Sequence, residues 1–351
     1  IIDSENGMVF PSYCDSHTHL VFAQSRESEF NDRINGLSYQ EIANNGGGIL
    51  NSAKKIDKIS EDELYNLSLK RLNACIQTGT GAIEIKSGYG LNLESELKIL
   101  RVIKKLKENS PISIKSTFLG AHAIPFEFKN KKSDYIDLII NEMLPIIKSE
   151  NLADYIDIFC EEGYFDTNDT IKILQAGKKY GLVGKTHVNQ FNSLGGVKVS
   201  IENGALSVDH LETMKEDDFL AFNDSNCIAT LLPSCSFFLG IPYSPAKEFI
   251  KRKIPINLAS DYNPGSSPSS NMNFVASLGS IKLKLNANEV INATTINGAY
   301  AMGLENKLGT ISVGKKANFF ITKKIPSHQY LHYSFGENLI RKVFLEGKEI
   351  K

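Results

Sequence analysis

Short apolar runs rich in β-branched residues recur along the chain, and a longer segment of helical periodicity follows most of them. Near-continuous apolar runs are typical of strands that are buried on both faces, as in a parallel sheet. The pattern predicts eight such strands, over residues 8–14, 81–85, 112–118, 155–160, 182–185, 205–208, 227–232 and 256–259.

The segments between these strands favour helices. Ser60 is placed to cap a helix over residues 61–77, with Glu63 at the capping-box position and Gly79 just beyond the end. Residues 94–108 repeat apolar side chains at helical spacing, which indicates one face packed against a core. The same reasoning predicts helices over residues 134–149, 170–180, 194–203 and 216–222.

Eight strands that alternate with helices over roughly 290 residues match the (β/α)8 barrel, whose usual size is about 250 residues with room for insertions. We therefore predict an α/β fold, a (β/α)8 TIM-type barrel, over residues 11–308. A doubly wound open sheet is the alternative that the same pattern allows.

The two chain ends do not continue the barrel pattern. Residues 309–322 and 339–350 are predicted as short strands, with turn signals at residues 313–315 and 346–348. They predict a small β-subdomain formed by residues 1–10 and 309–351. Because the chain starts at Ile1 without a methionine, we expect this subdomain to be incomplete and the chain to be a fragment. Apolar side chains of the tail would then be exposed and would promote aggregation and dye binding. These side chains are Phe319, Phe320, Ile321, Val343, Phe344 and Leu345.

Composition narrows the classes of function. The chain has 39 basic and 40 acidic residues, so its formal net charge of −1 gives no electrostatic reason to expect nucleic acid or an anionic membrane as a partner. No apolar run approaches the roughly 18 residues of a membrane span. The five cysteines form no CxxC pair, which predicts reduced thiols and a cytoplasmic protein.

Histidines cluster where a barrel enzyme would need them. His17 and His19 follow the first strand two residues apart, so both imidazoles point to one face and can reach one ion. His187 and Asp261 follow later strands and are expected at the same mouth of the barrel. Three imidazoles and a carboxylate suit Zn²⁺ or non-haem iron. Asp15 shares the strand face of His17 and is predicted to orient a ligand imidazole.

Other histidines allow two interpretations. His122 and His210 follow the third and sixth strands, where each either binds a backbone carbonyl at the rim or takes part in the site. His328 and His332 lie in the tail and are predicted to be ordinary, partly exposed residues.

Residues 11–19 resemble the strand-one signature of the amidohydrolase superfamily, with Ser12 where that signature has glycine. Further motifs extend the resemblance, in the order typical of one branch of the superfamily, over essentially the whole chain. They are Ser25-Arg26-Glu27-Ser28-Glu29-Phe30, Gly46-Gly47-Gly48-Ile49, Lys86-Ser87-Gly88-Tyr89-Gly90-Leu91, Gly120-Ala121-His122-Ala123-Ile124-Pro125 and Ser260-Asp261-Tyr262-Asn263-Pro264-Gly265-Ser266-Ser267-Pro268.

The resemblance implies a hydrolase of histidine breakdown that opens the cyclic amide of 4-imidazolone-5-propanoate and yields N-formimidoyl-L-glutamate. It implies one divalent or trivalent metal ion, Zn or Fe, and a homodimer that acts on a small molecule, with neither nucleic acid nor membrane as partner. The implied metal ligands are His17, His19, His187 and Asp261. The implied substrate-binding residues are Arg26, Tyr89, His122, Gln190, Asn263, Gly265 and Ser266. The implied catalytic residues are Asp261, His210 and Gln190.

Gln190 departs from some members of the family, which carry glutamate there as a proton carrier. An amide forms hydrogen bonds but cannot take a proton, so we expect proton transfer to fall on Asp261 and His210. Two rival functions stay open. A deaminase of the cytosine or guanine type predicts an acid at position 190 and no need for Arg26, and a non-catalytic scaffold predicts lost metal ligands.

Overall fold

The computed structural model describes residues 2–38, 41–42 and 45–350. Strands are numbered along the chain from β1, Val9–Pro11. The centre of the molecule is a parallel sheet of eight strands, in which each strand pairs with the next one along the chain. These strands are β2 Tyr13–Asp15, β3 Thr80–Lys86, β4 Ser113–Ala121, β5 Tyr155–Cys160, β6 Val183–Val188, β7 Ser207–His210, β8 Ile228–Leu231 and β9 Ile256–Leu258.

Residues just beyond β2 and β9 connect the first strand of this sheet to the last. Thr18 and Tyr262 form a parallel bridge. The Asp261 N–H donates to the His17 carbonyl at 3.0 Å, and the His19 N–H donates to the Tyr262 carbonyl at 2.8 Å. The sheet therefore curves into the predicted (β/α)8 barrel, and the open-sheet alternative is wrong.

Helices surround the barrel. They are α1 Glu27–Ile34, α2 Gly48–Lys58, α3 Glu61–Gln77, α4 Leu93–Asn109, α5 Lys132–Leu138, α6 Leu144–Glu150, α7 Thr167–Lys179, α8 Gly196–Glu202, α9 Glu216–Leu220, α10 Pro233–Leu239, α11 Ala246–Lys251, α12 Met272–Ile281, α13 Ala287–Thr294, α14 Ile296–Tyr300 and α15 Tyr330–Tyr333. Helix α3 has the predicted bounds, and the Ser60 hydroxyl accepts a hydrogen bond from the Glu63 N–H.

The helix predicted over residues 134–149 is interrupted. A π-helical turn, Ile139–Met143, separates α5 from α6. Pro145 lies in the first turn of α6 and has no N–H to offer the carbonyl of Asn141, so the α-helical ladder cannot run through this point.

The first predicted strand, residues 8–14, is also divided. Its first part is β1, which pairs antiparallel with β10, Phe319–Thr322, and its second part is β2 of the barrel. Ser12 lies between them and donates its N–H to the Asn318 carbonyl at 3.1 Å, while the Tyr13 N–H donates to the Gly79 carbonyl at 2.9 Å. One continuous apolar run thus contributes to two sheets.

The chain ends form a second sheet, of four antiparallel strands in the order β1-β10-β11-β12. Strands β11, Ile340–Leu345, and β12, Lys348–Ile350, are joined by a two-residue turn. Both turn residues, Glu346 and Gly347, have positive φ angles of 50° and 77°, as the twist of a tight hairpin requires. The turn signal at residues 346–348 is confirmed.

The six apolar side chains that we expected to be exposed are buried or half-buried in this sheet, so the expectation of an exposed patch is wrong. Phe320, for example, is fully buried, because its ring packs between Phe10 at 5.5 Å and Tyr13 at 5.1 Å between ring centroids. Phe319 is half-buried and stacks on Phe344 at 4.7 Å. The remaining members of the set, Ile321, Val343, Phe344 and Leu345, are buried.

Three smaller expectations can be compared with the structure. All five cysteines are free and buried. His332 is buried at 2% exposure, so the prediction of a partly exposed side chain is wrong for this residue. Within residues 2–38, 41–42 and 45–350, no helix has the length and apolar character needed to cross a bilayer.

Candidate metal centre and active site

The residues predicted for the site meet at the C-terminal mouth of the barrel. A cavity opens there. Its lining includes ten of the twelve predicted residues, namely His19, Arg26, Tyr89, His122, His187, Gln190, His210, Asp261, Asn263 and Ser266. The other two, His17 and Gly265, lie directly behind this lining, against Asp261 and Arg26 respectively.

Four of these side chains converge on one point. Nε2 of His17 and Nε2 of His19 lie 3.5 and 3.7 Å from Oδ1 of Asp261. Nε2 of His187 lies 3.3 Å from Nε2 of His19. Ligand atoms of a tetrahedral metal ion stand about 3.3–3.8 Å apart, which follows from metal–ligand bonds of about 2.0–2.3 Å. The spacing of these atoms therefore fits a single ion.

The chemical state of the imidazoles fits an ion as well. Burial, together with the nearby Lys86 ammonium, holds the pKa of His17 and of His187 well below the ordinary value. Burial and His122 do the same for the pKa of His19. Neutral imidazoles are the metal-binding form. Nε2 of His17 is buried and has no hydrogen-bond partner among the described residues, as expected of an atom that faces a ligand.

Two aspartates that were not predicted from the sequence contact the rings of His17 and His187. Oδ2 of Asp209 lies 2.6 Å from Nδ1 of His17, and Oδ2 of Asp157 lies 3.0 Å from Nδ1 of His187. Each contact fixes the ring and leaves Nε2 available for the ion. The prediction that Asp15 has this role is wrong, because its carboxylate accepts hydrogen bonds from the Ser260 N–H and hydroxyl at 3.0 and 2.6 Å.

A buried cation connects the two aspartates. Nζ of Lys86 lies 2.8 Å from Asp157, 3.5 Å from Asp209 and 2.7 Å from Glu84, and all four side chains are fully buried. Glu84 also pairs with Lys185. Burial opposes the ammonium form of Lys86, but Asp157 and Glu84 raise its pKa, so it stays charged. The histidines predicted as metal ligands are therefore connected to a layer of paired charges inside the barrel.

His210 and Asp261 face each other at the site with unusual backbones. Their φ angles are +89° and +52°, in the left-handed region that non-glycine residues rarely adopt. Such strain costs of order 1–3 kcal/mol per residue and is typical of functional sites. Glu212 lies 3.3 Å from Nδ1 of His210. Burial opposes the imidazolium, but Glu212 outweighs it and the pKa of His210 is raised. Burial raises the pKa of Asp261 to about 6.

Tyr89 and His122 form one wall of the cavity. Their ring centroids lie 5.4 Å apart, and His122 stacks on His19 at 5.1 Å. Nδ1 of His122 contacts the Gly88 carbonyl at 2.9 Å, as the rim interpretation predicts. The ring also lines the cavity, and its part in the site stays a prediction. The buried Glu96 carboxylate shapes the loop by accepting hydrogen bonds from the N–H groups of Gly88, Gly90 and Leu91.

The loop after Asp261 is shaped by Asn263. Its Oδ1 accepts hydrogen bonds from the N–H groups of Gly265 and Ser266, both at 2.8 Å, and its Nδ2 donates to the Asp261 carbonyl at 2.6 Å. Gln190 contacts the thiol of Cys235, with Nε2 3.4 Å from Sγ. The amide of Asn263 is thus engaged within the loop, whereas Gln190 keeps its carbonyl for other partners.

Arg26 is buried at 3% exposure and passes over Gly265. A Cβ atom on Gly265 would lie 1.4 Å from Nη2 of Arg26, which no packing tolerates. The bare backbone of Gly265 therefore makes the space in which the guanidinium reaches the cavity.

Gly265→Ala is expected to displace Arg26 and to weaken binding of an anionic substrate by roughly ten- to hundredfold, the value of one charged hydrogen-bonded pair. Steady-state kinetics measure this effect as a rise in KM. Gly336→Ala is the matched control, because a Cβ there meets nothing within 4 Å. Equal KM values for the two variants would contradict this role of Gly265.

Comparison with known proteins shows the family of this chain. The model of the amidohydrolase family matches residues 8–350. An imidazolonepropionase from Christiangramia forsetii is 58% identical over 349 residues, which are 99% of this chain and 85% of that protein. An imidazolonepropionase from Flavobacterium johnsoniae is 57% identical over 350 residues, which are 100% of this chain and 85% of that protein.

Solved structures of lower identity show the same fold. A 5-methylcytosine deaminase from Klebsiella pneumoniae, liganded with 5-fluorocytosine, superimposes with a TM-score of 0.78 at 14% identity and covers 100% of this chain and 87% of that one. An adenosine deaminase from Xanthomonas campestris with bound zinc has a TM-score of 0.71 at 13% identity, over 98% of this chain and 80% of that one. The chain therefore belongs to the amidohydrolase family, within it to the imidazolonepropionases, and is a hydrolase.

Proposed function

We propose that the protein hydrolyses the cyclic amide of 4-imidazolone-5-propanoate to N-formimidoyl-L-glutamate, in histidine degradation, with a Zn or Fe ion held by His17, His19, His187 and Asp261. The observation that carries this proposal is the convergence of these four side chains in a cavity that Arg26 also lines. The names of the relatives at 57–58% identity support the substrate. When bound, the ion supplies Lewis acidity and makes water more acidic.

Asp261 is the proposed proton carrier. A carboxylate beside the reacting atoms can accept a proton and release it again. It takes a proton from the attacking water as the new C–O bond forms at the ring carbonyl. It then delivers that proton to the ring nitrogen as the C–N bond breaks, which opens the ring with the net addition of one water.

His210 is the proposed electrophilic partner. Glu212 holds its ring and raises the pKa of the imidazole, so a larger fraction is protonated at neutral pH. A protonated imidazole donates a strong hydrogen bond to the oxygen of the ring carbonyl as negative charge develops on it. Gln190 binds the ring edge through its amide and takes no part in proton transfer.

The direct test is a purified sample whose metal content is measured and whose consumption of imidazolonepropanoate is followed at one wavelength. Mass spectrometry of the product is expected to show the gain of one water. Release of ammonia from cytosine or guanine, with no loss of imidazolonepropanoate, would contradict the proposal and favour the deaminase alternative. A sample that binds neither zinc nor iron and turns over neither substrate would favour the scaffold alternative.

Arg26→Ala is expected to raise KM for imidazolonepropanoate by about ten- to hundredfold, and to change KM little for an analogue that lacks the carboxylate. The reason is that a guanidinium offers a fork of donors to the propanoate, a pair worth about 1.5–3 kcal/mol. Arg26→Lys is the control that keeps the charge and loses the fork. Equal effects on both substrates would show that Arg26 does not bind the propanoate.

A further inference from the structure

A second group of metal-binding side chains lies beside the site. His210, Glu212 and Cys235 are all buried, and one potential ligand atom from each lies within 4.8 Å of the other two. The mechanism proposed above uses His210 and its contact with Glu212, but it gives no role to the thiol. Cys235 is in α10, whose N-terminal end follows β8, so it approaches His210 from a neighbouring strand of the barrel.

The Glu212 carboxylate has one oxygen to spare. Its Oε1 accepts a hydrogen bond from the Ser236 hydroxyl at 3.2 Å and lies 3.3 Å from His210. Oε2 is buried and has no hydrogen-bond partner among the residues that the structure describes. A buried carboxylate oxygen without a partner is costly unless a cation or a donor meets it.

We propose that this group, His210, Glu212 and Cys235, binds a thiophilic divalent cation, Zn²⁺ in excess of the first ion or Cd²⁺, and that the bound cation inhibits the enzyme. A thiolate, an imidazole and a carboxylate are a typical ligand set for such ions and a poor one for Mg²⁺ or Ca²⁺. Atoms within 4.8 Å must approach to about 3.5 Å around a tetrahedral ion, which small side-chain rotations achieve.

Charge balance supports the site. Binding displaces to solvent the proton of the Cys235 thiol and, where His210 is protonated, the extra proton of its imidazole. The resulting thiolate and the Glu212 carboxylate together neutralise the two positive charges of the ion. No uncompensated charge is left in the buried site. His210 must be neutral to act as a ligand, so it can no longer donate a proton to the substrate. Inhibition therefore rests on the proposed function, whereas binding does not.

The test uses the protein loaded with one equivalent of zinc and titrated with Cd²⁺. We expect a second metal ion per chain and an ultraviolet sulfur-to-cadmium charge-transfer band in the parent protein. Cys75→Ala is the matched control, since Cys75 is an equally buried thiol on α3, and it should keep both signals. Cys235→Ala should lose the band and bind the second ion at least roughly tenfold more weakly, because even indirect partners of a metal change affinity by about 10–100-fold.

Activity is then measured in the same samples, as the ratio of rates with and without Cd²⁺. We expect at least roughly tenfold inhibition of the parent and of Cys75→Ala, and a clearly smaller effect on Cys235→Ala. An unchanged band in Cys235→Ala, or a total of one metal per chain after titration because Cd²⁺ replaced the zinc, would overturn the site. Binding without inhibition would overturn the inhibitory role. Absence of activity before Cd²⁺ is added would instead count against the proposed function.

Discussion

Asp261→Ala is expected to lose both the bound metal and turnover. The carboxylate supplies the negative ligand of the proposed centre, since His17, His19 and His187 are neutral. It is also the proposed proton carrier, and loss of that role alone costs about 10²–10⁴-fold in rate. Metal content after dialysis and initial rates measure the two losses. His17→Ala should lose the metal in the same way, because its Nε2 lies 3.5 Å from the same carboxylate.

The control for this pair is His328→Ala. His328 lies in the tail, outside the cavity lining, and its removal should leave metal content and rate as in the parent. Thermal unfolding of each protein after metal removal separates loss of the ion from loss of the fold. One metal ion per chain, still bound in an active His17→Ala protein, would show that the metal centre has been assigned to the wrong residues.

Lys86→Met is expected to destabilise the protein by about 3–5 kcal/mol, because it leaves buried carboxylates without their shared cation. Those carboxylates include Asp157 and Asp209, which orient His187 and His17. We therefore also expect metal affinity to fall by about 10–100-fold. Denaturant unfolding measures the first effect, and competition with a chelator measures the second.

Lys105→Met is the control for the change of side chain. Lys105 pairs with Asp62 at 2.8 Å on an exposed surface, where water screens both charges, so little change in stability is expected. If Lys86→Met unfolds at the same denaturant concentration as Lys105→Met, the buried carboxylates do not need Lys86 for the stability of the fold. If Lys86→Met lowers stability as expected but leaves metal affinity unchanged, Lys86 supports the fold and has no effect on the metal centre.

The cluster of histidines at the barrel mouth is predictable from the sequence because its pattern is local. His17 and His19 share one strand face, and a strand end is where a barrel places its chemistry. The same alternation carries Glu84 and Lys86 into the barrel interior together. Which acid meets which imidazole, however, depends on how the strands lie next to one another: Asp157 of β5 contacts His187 of β6, and Asp209 of β7 contacts His17 just beyond β2. A single strand does not reveal that partner, so the sequence alone points wrongly to Asp15.

Two further features depend on contacts that are distant in the chain. Residues 8–14 form one apolar run, and their division between two sheets depends on β10, which lies more than 300 positions away. The positive φ of His210 has no local turn signal either, because no glycine or proline lies within three residues of it. Contacts with surrounding residues must therefore hold the backbone in this conformation. One of them is the hydrogen bond that the Ser244 hydroxyl donates to the His210 carbonyl at 2.8 Å.

The bonds that close the barrel involve the backbone of His17, His19 and Asp261 themselves. These residues come from opposite ends of the barrel sequence, so they meet only after the largest loop of the chain has closed, which is a slow, entropically costly step in folding. An ion that binds all of them stabilises only the closed barrel, by mass action. Without the ion, the barrel should open first at the junction of β2 and β9. Hydrogen exchange at the His19 and Asp261 amides would then slow on metal binding, while exchange within β4 and β5 would change least.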